Sequence, residues 1–189
     1  MICYLIRHGQ DDETVRGGWS HAPLTETGID QAEKLAEKLS EYNLAAIYSS
    51  DLERAQQTAK ILGDQIGLQV SVLPQFREVN NGALAGMRNA DALAQYPDLF
   101  WNQLDWEQCY PDGESPKIFY ERICSAWDAF SKMILLQKSD VALVTHGGVI
   151  HVILAIMENR AYSNKEKQRK VAYTEVIPLA YENGVWKEV

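Results

Sequence analysis

Cysteine is scarce in this chain, and long apolar runs are missing. The three cysteines, Cys3, Cys109 and Cys124, are an odd number with no CxxC spacing. That argues against a disulfide framework and against a thiolate metal site, and it suits a reducing cytoplasm. The longest greasy stretch, residues 149–157, is interrupted by His151 and is too short to span a bilayer. Residues 1–6 are apolar but short, with no basic region ahead of them, so they make a poor signal peptide. Positive charge is also short: 18 Lys and Arg stand against 26 Asp and Glu, a net charge of −8. Such a balance disfavours nucleic acid and anionic membranes as partners. It leaves a small phosphorylated metabolite open, because local charge in a pocket decides that case. No HExxH is present and His146 and His151 miss the i, i+4 spacing of a zinc helix, so no metal and no cofactor is expected.

What is present is ordinary globular material, 46% hydrophobic and 23% charged. A length of 189 residues favours a single domain over 1–189 with one substantial core. Short apolar runs alternate with longer amphipathic ones, the pattern of βα units around a mostly parallel sheet in an α/β/α sandwich. Strands are expected over 2–6, 45–49, 69–73 and 141–145. Helices are expected over 26–42, capped by Thr25, over 52–66, and from Gly147 through Met157. Asn183-Gly184 between two apolar runs signals a hairpin. The interval 79–115 breaks this rhythm, with Tyr96, Trp101, Trp106 and Tyr110 among the breakers Pro97 and Pro111, and reads as an inserted cap.

Two histidines stand at the ends of predicted strands, in Ile6-Arg7-His8-Gly9 and in Val144-Thr145-His146-Gly147-Gly148. In open α/β sheets ligands bind beyond the carboxyl ends of the strands, and a polar residue placed there points into the crevice. The glycines behind each histidine allow close approach of backbone N–H groups to an anion. Arg54, opening the helix after the second strand, reaches the same crevice with a planar fork suited to a phosphoryl group.

The segments Arg7-His8-Gly9, Pro23-Leu24-Thr25-Glu26-Thr27-Gly28, residues 49–59 and His146-Gly147-Gly148, taken in order, resemble the histidine phosphatase superfamily, with its phosphoglycerate-mutase-like fold. Arg77-Glu78 with Gly82 and Gly86 resembles that family's acid-bearing segment, and Asp112-Gly113-Glu114-Ser115 its Gly-Glu-Ser turn. The resemblance implies that His8 is a nucleophile forming a phosphohistidine. It implies that Arg7, Arg54 and His146 gather the phosphoryl oxygens without a metal. Glu78 matches the proton donor to the leaving oxygen. Gly9, Thr14, Arg16, Gly17, Gly18 and Gly147 are the further phosphate- or substrate-contacting positions.

The chain departs from the family pattern in the loop after His8. Gln10-Asp11-Asp12-Glu13-Thr14-Val15-Arg16 is short and lacks the Asn often found there, so Arg16 is weighed as a substitute clamp. The Trp that often follows Gly82 is replaced by Ala83-Leu84. The resemblance extends to phosphoglycerate mutases, which are longer, with segments that keep the phosphoenzyme dry. This shorter chain is therefore expected to hydrolyse small phosphomonoesters, as the similar α-ribazole phosphatases do. A mutase-type phosphotransferase and a noncatalytic phospholigand-binding regulator are the alternatives.

Overall fold

The computed structural model describes residues 1–189. One six-stranded sheet runs β3-β2-β4-β1-β5-β6, with β1 at Ile2–Arg7, β2 at Leu44–Ser49, β3 at Val70–Val72, β4 at Asp140–Thr145, β5 at Val176–Glu182 and β6 at Val185–Glu188. The first four are parallel, and β5 and β6 close one edge as an antiparallel hairpin. The fold is the expected α/β architecture with a mostly parallel central sheet.

Period-2 alternation splits the central strands between two cores. Tyr4, Ile6, Ala142 and Val144 face α1 (Glu26–Leu39) and α2 (Glu53–Ile66), packing with Leu35, Leu39, Ala59 and Leu62. Cys3, Leu5, Val141 and Leu143 face the other way, against α4 (Pro116–Gln137) and α5 (Gly147–Met157). Near-continuous apolar strands such as Val141-Ala142-Leu143-Val144, all fully buried, are what a sheet covered on both faces requires. Thr25 caps α1 through its hydroxyl, which accepts from Gly28 N at 3.1 Å, a contact type that contributes about 1 kcal/mol.

Helix α4, 22 residues long, was absent from the sequence reading although Ser115 caps it and Pro116 opens it. The first helix also ends earlier than expected, at Leu39, with Ser40 as its C-cap. Within the irregular interval, residues 79–115 contain α3 (Asn89–Gln95) and one 3₁₀ turn. Leu84, Leu104 and Tyr110 form a small core of their own there. No helix is long and apolar enough to cross a membrane.

Candidate active site

Register brings the site together. Arg7 on β1 pairs with Thr145 on β4, so His8 and His146, each the next residue, leave adjacent central strands side by side. Their ring centroids are 5.0 Å apart, and His8 N donates to Thr145 O at 3.0 Å. On the other side of β4, Ser50 N donates to Val144 O, which sets Ser50 beside His146.

The tautomers follow from their partners. His8 Nδ1 lies 2.7 Å from Gly9 O, and a carbonyl can only accept, so Nδ1 carries the hydrogen and Nε2 keeps the free lone pair. Arg54 Nε donates toward that lone pair at 3.3 Å. Ser50 Oγ accepts from Leu52 N and lies 2.9 Å from His146 Nε2. When the Ser50 hydroxyl donates to His146 Nε2, the ring hydrogen sits on His146 Nδ1. Burial, and after it the Arg54 guanidinium, hold both imidazoles well below their usual range, so both are neutral at pH 7.

Two nitrogens around His8 have no partner within the protein: Arg7 Nε and His146 Nδ1, both buried. Buried N–H groups without a partner are rare and ask for an explanation. Arg7 is otherwise fixed, with NH1 donating to Val171 O at 2.6 Å and its guanidinium 3.9 Å above the Tyr173 ring. Arg54 is 2% exposed and also donates to Gly18 O at 2.7 Å and to Ser20. Arg7, His8, Asp11, Arg54, Glu78 and Tyr173 line one cavity of about 210 Å³.

Glu78 reaches this cavity from the segment after β3. It does not pair with Arg77, whose guanidinium forks onto Asp51 instead. Its carboxylate accepts from Val79 N at 2.9 Å and from Gly148 N at 3.0 Å. A Cβ on Gly148 would meet that carboxylate, so a larger residue here would push the Glu78 side chain aside. The Glu78 carbonyl takes Trp19 Nε1 at 2.7 Å and Arg122 NH2 at 3.0 Å. Arg122, from α4, is held in turn by Glu114 at 2.7 and 2.8 Å. Glu114 of the Gly-Glu-Ser turn thus braces the acid-bearing segment from behind, accepting also from Asn80 N.

The secondary positions divide. Gly17 and Gly18 line the cavity, and Gly147 lies against Arg7, whose Nε is 3.9 Å from where its Cβ would be. Gly9 differs from expectation: its N–H is taken by Thr58 Oγ1 at 3.0 Å, so its contribution is the carbonyl that orients His8. Thr14 is exposed, does not line the cavity, and spends its N–H and hydroxyl on Asp12 at the rim. Arg16 stands back from His8, stacked 4.8 Å over Phe100 of the irregular interval with a buried, unpartnered Nε. Of the aromatics there, Trp101 lines a second cavity of about 360 Å³ that shares Glu78 as a wall. Trp106 instead packs on Tyr120 and Tyr162. A larger groove of about 760 Å³, between α2 and β3, contains none of Arg7, His8, Arg54, Glu78 and His146.

Four residues here went unread in the sequence: Asp11, Ser50, Tyr173 and Arg122. Ser50 follows a strand as His8 and His146 do, so the same rule would have found it. The other three come from loops and a helix whose reach into the site depends on tertiary structure.

A family model described as "Histidine phosphatase superfamily (branch 1)" matches residues 3–189. The chain is 31% identical over 189 residues to the probable phosphoglycerate mutase GpmB of Yersinia pestis (strain Pestoides F), covering 97% of this chain and 86% of that one. A solved mycobacterial glucosyl-3-phosphoglycerate phosphatase superposes with a TM-score of 0.82 at 26% identity, over 100% of this chain and 96% of the other. The α-ribazole phosphatase of Shigella flexneri, at 23% identity, TM-score 0.85 and coverage of 100% and 95%, shares the fold.

Proposed function

The chain belongs to the histidine phosphatase superfamily, and from that premise we propose that it hydrolyses small phosphomonoesters through a phosphohistidine on His8, with neither metal nor cofactor. The observation that carries this reading is a neutral His8, with its Nε2 lone pair free, flanked by two buried nitrogens, Arg7 Nε and His146 Nδ1, that nothing in the protein satisfies. Donors fixed in advance around a nucleophile are what a transferring phosphoryl group requires.

In the first step the His8 Nε2 lone pair forms the N–P bond as the P–O bond to the leaving group breaks. Glu78 gives its proton to the departing oxygen. Arg7, Arg54 and His146 hold the three equatorial oxygens, where charge is spread in the transition state. In the second step water, losing a proton to Glu78, attacks phosphorus. The P–N bond breaks, the electron pair returns to Nε2, and inorganic phosphate leaves. Gly17 and Gly18 line the cavity, and Gly147 lies against Arg7.

Both activities occur among the relatives, a probable mutase and phosphatases. The hydrolytic reading is favoured by the rim of the cavity, where Asp12 and Glu13 are exposed and water can reach His8. It is favoured too by the likeness to the glucosyl-3-phosphoglycerate phosphatase, also solved with VO3 and with inorganic phosphate at 27% identity. We read the chain as one catalytic domain, with residues 79–115 as a cap that selects the ester. The three free cysteines fit a cytoplasmic setting.

The deciding experiment is rapid quench during turnover of p-nitrophenyl phosphate. Acid-labile, base-stable phosphate should appear on His8, and His8→Ala should lose both adduct and turnover. Turnover without an adduct on His8 would overturn the mechanism.

A further inference from the structure

The pocket that would hold the phosphoryl group also contains a buried carboxylate. Asp11 is 9% exposed, lines the cavity with His8, and puts Oδ2 3.4 Å from Arg54 Nε. That same Nε–H lies 3.3 Å from the lone pair of His8. The carboxylate therefore sits at the nucleophile's arginine, where an incoming anion must also sit. Its neighbour Asp12 is exposed at the rim of the same cavity, tied to Thr14, and the backbone bridge of Asp11 to Leu24 keeps Asp11 in place.

Charge balance makes this arrangement informative. The cations lining the cavity are Arg7 at the end of β1 and Arg54 on α2. They match the two charges of a phosphoryl dianion. Glu78 enters from the segment after β3, with its carboxylate oxygens taken by the Val79 and Gly148 N–H groups. From the loop before β5, Tyr173 faces in as a neutral phenol, pushed up to about 12 mainly by burial. Glu13, on the same loop as Asp11, is tied to the Tyr173 hydroxyl at 2.9 Å. His8 is neutral. An ionised Asp11, itself 9% exposed, would thus be a further negative charge against the anion.

We propose that Asp11 is a substrate-binding residue that holds a proton against the phosphoryl group, so that each anion entering the pocket brings one proton with it. The proton sits between Asp11 Oδ and a phosphoryl oxygen, taken from solvent or carried in on the anion. In that form Asp11 is a hydrogen-bond donor rather than a repelling charge. Burial already raises Asp11 above the usual carboxylate range, more than Arg54 and Arg7 lower it, so little further change is required. This proposal rests on the reading of the cavity as a phosphoryl site.

Sulfate is the probe, because it remains a dianion throughout the range and has no proton to contribute. Calorimetric titration in two buffers of different ionisation enthalpy counts protons taken up on binding. The wild type should take up about one proton per sulfate, with affinity falling about tenfold per pH unit above neutrality. Asp11→Asn, which keeps a donor, should take up none, bind sulfate with pH-independent affinity, and exceed the wild type about tenfold at pH 8. Asp11→Ser, with folding checked by circular dichroism, guards against a defect peculiar to the amide. Proton uptake that persists in Asp11→Asn, or that vanishes only in Glu78→Gln, would assign the proton to His8, His146 or Glu78 and overturn the proposal. Sulfate binding to the wild type without proton uptake overturns it alone and leaves the phosphoryl site standing. No sulfate binding at pH 6 or at pH 8 overturns both.

Discussion

His8 and His146 stand 5.0 Å apart between ring centroids, each neutral, with the His8 tautomer fixed by Gly9 O and His146 held by Ser50 Oγ. His8 keeps a lone pair on Nε2, and His146 becomes an N–H donor at Nδ1 when Ser50 donates to its Nε2. Both roles depend on burial that excludes the imidazolium form.

Stability should therefore fall on mild acidification. Both imidazoles have folded-state values well below the ordinary 6.5, so their stabilisation is complete above that value. It is lost as pH falls below it, because the unfolded chain then binds protons that the folded chain refuses. Each refused proton contributes about 1.4 kcal/mol per pH unit. The melting temperature should drop between pH 6.5 and 5, with a shallower drop for His146→Gln. A flat profile would mean that the rings are protonated in the fold.

Activity should survive excess EDTA, since Arg7, Arg54 and His146 are given the charge stabilisation. Arg54→Ala should depress p-nitrophenyl phosphate and any natural ester together, by about a hundredfold or more, roughly 3 kcal/mol. Activity lost with EDTA and restored by a divalent ion would contradict this assignment.

Gly148→Ala tests how closely Glu78 must be held. The added Cβ displaces the carboxylate, while the phosphoryl donors are untouched. Turnover of alkyl phosphates, whose leaving oxygen needs the proton, should fall about ten- to a hundredfold, roughly 1.4–2.8 kcal/mol. p-Nitrophenyl phosphate, with a better leaving group, should change by about threefold or less. Equal losses for both would mean that Glu78 only positions substrate.

The two tryptophans of the irregular interval should behave differently. Trp101 lines the cavity beyond Glu78, whereas Trp106 is 38% exposed and packs on tyrosines. In a panel of phosphorylated metabolites, Trp101→Ala should cost the preferred ester about tenfold or more in kcat/KM and leave p-nitrophenyl phosphate within about threefold. Trp106→Ala should affect neither. An effect of Trp106→Ala on the preferred ester alone would place the substrate on the outer face of the cap.

Arg7, His8, Arg54 and His146 were legible because strand ends announce themselves: an apolar run stops and a polar residue follows. Helix α4 was not, because apolar residues ring it. Ile118, Met133 and Leu136 are exposed at 45%, 38% and 85% while Phe119, Ile123 and Ile134 are buried, so the helical stripe is blurred. Arg122 could not be read as a brace for Glu78 from 44 residues away. Nor could Asp11, whose importance depends on where Arg54 arrives from α2. Gly9 misled for a local reason: a bare N–H next to a nucleophile looks available until Thr58 is folded against it.

The place of β1 in the sheet has a consequence for how the enzyme is made. Its six residues are seated between β4 and β5, and Ile2 N donates to Asp140 Oδ1 across 138 residues of chain. The strand that carries His8 is thus synthesised well before the strands on either side of it. Contacts of such separation form late and slowly. Until β4 and β5 have been made, His8 has Arg7 beside it but not His146, so a chain lacking them holds no assembled site. Catalytic power appears only with the completed fold.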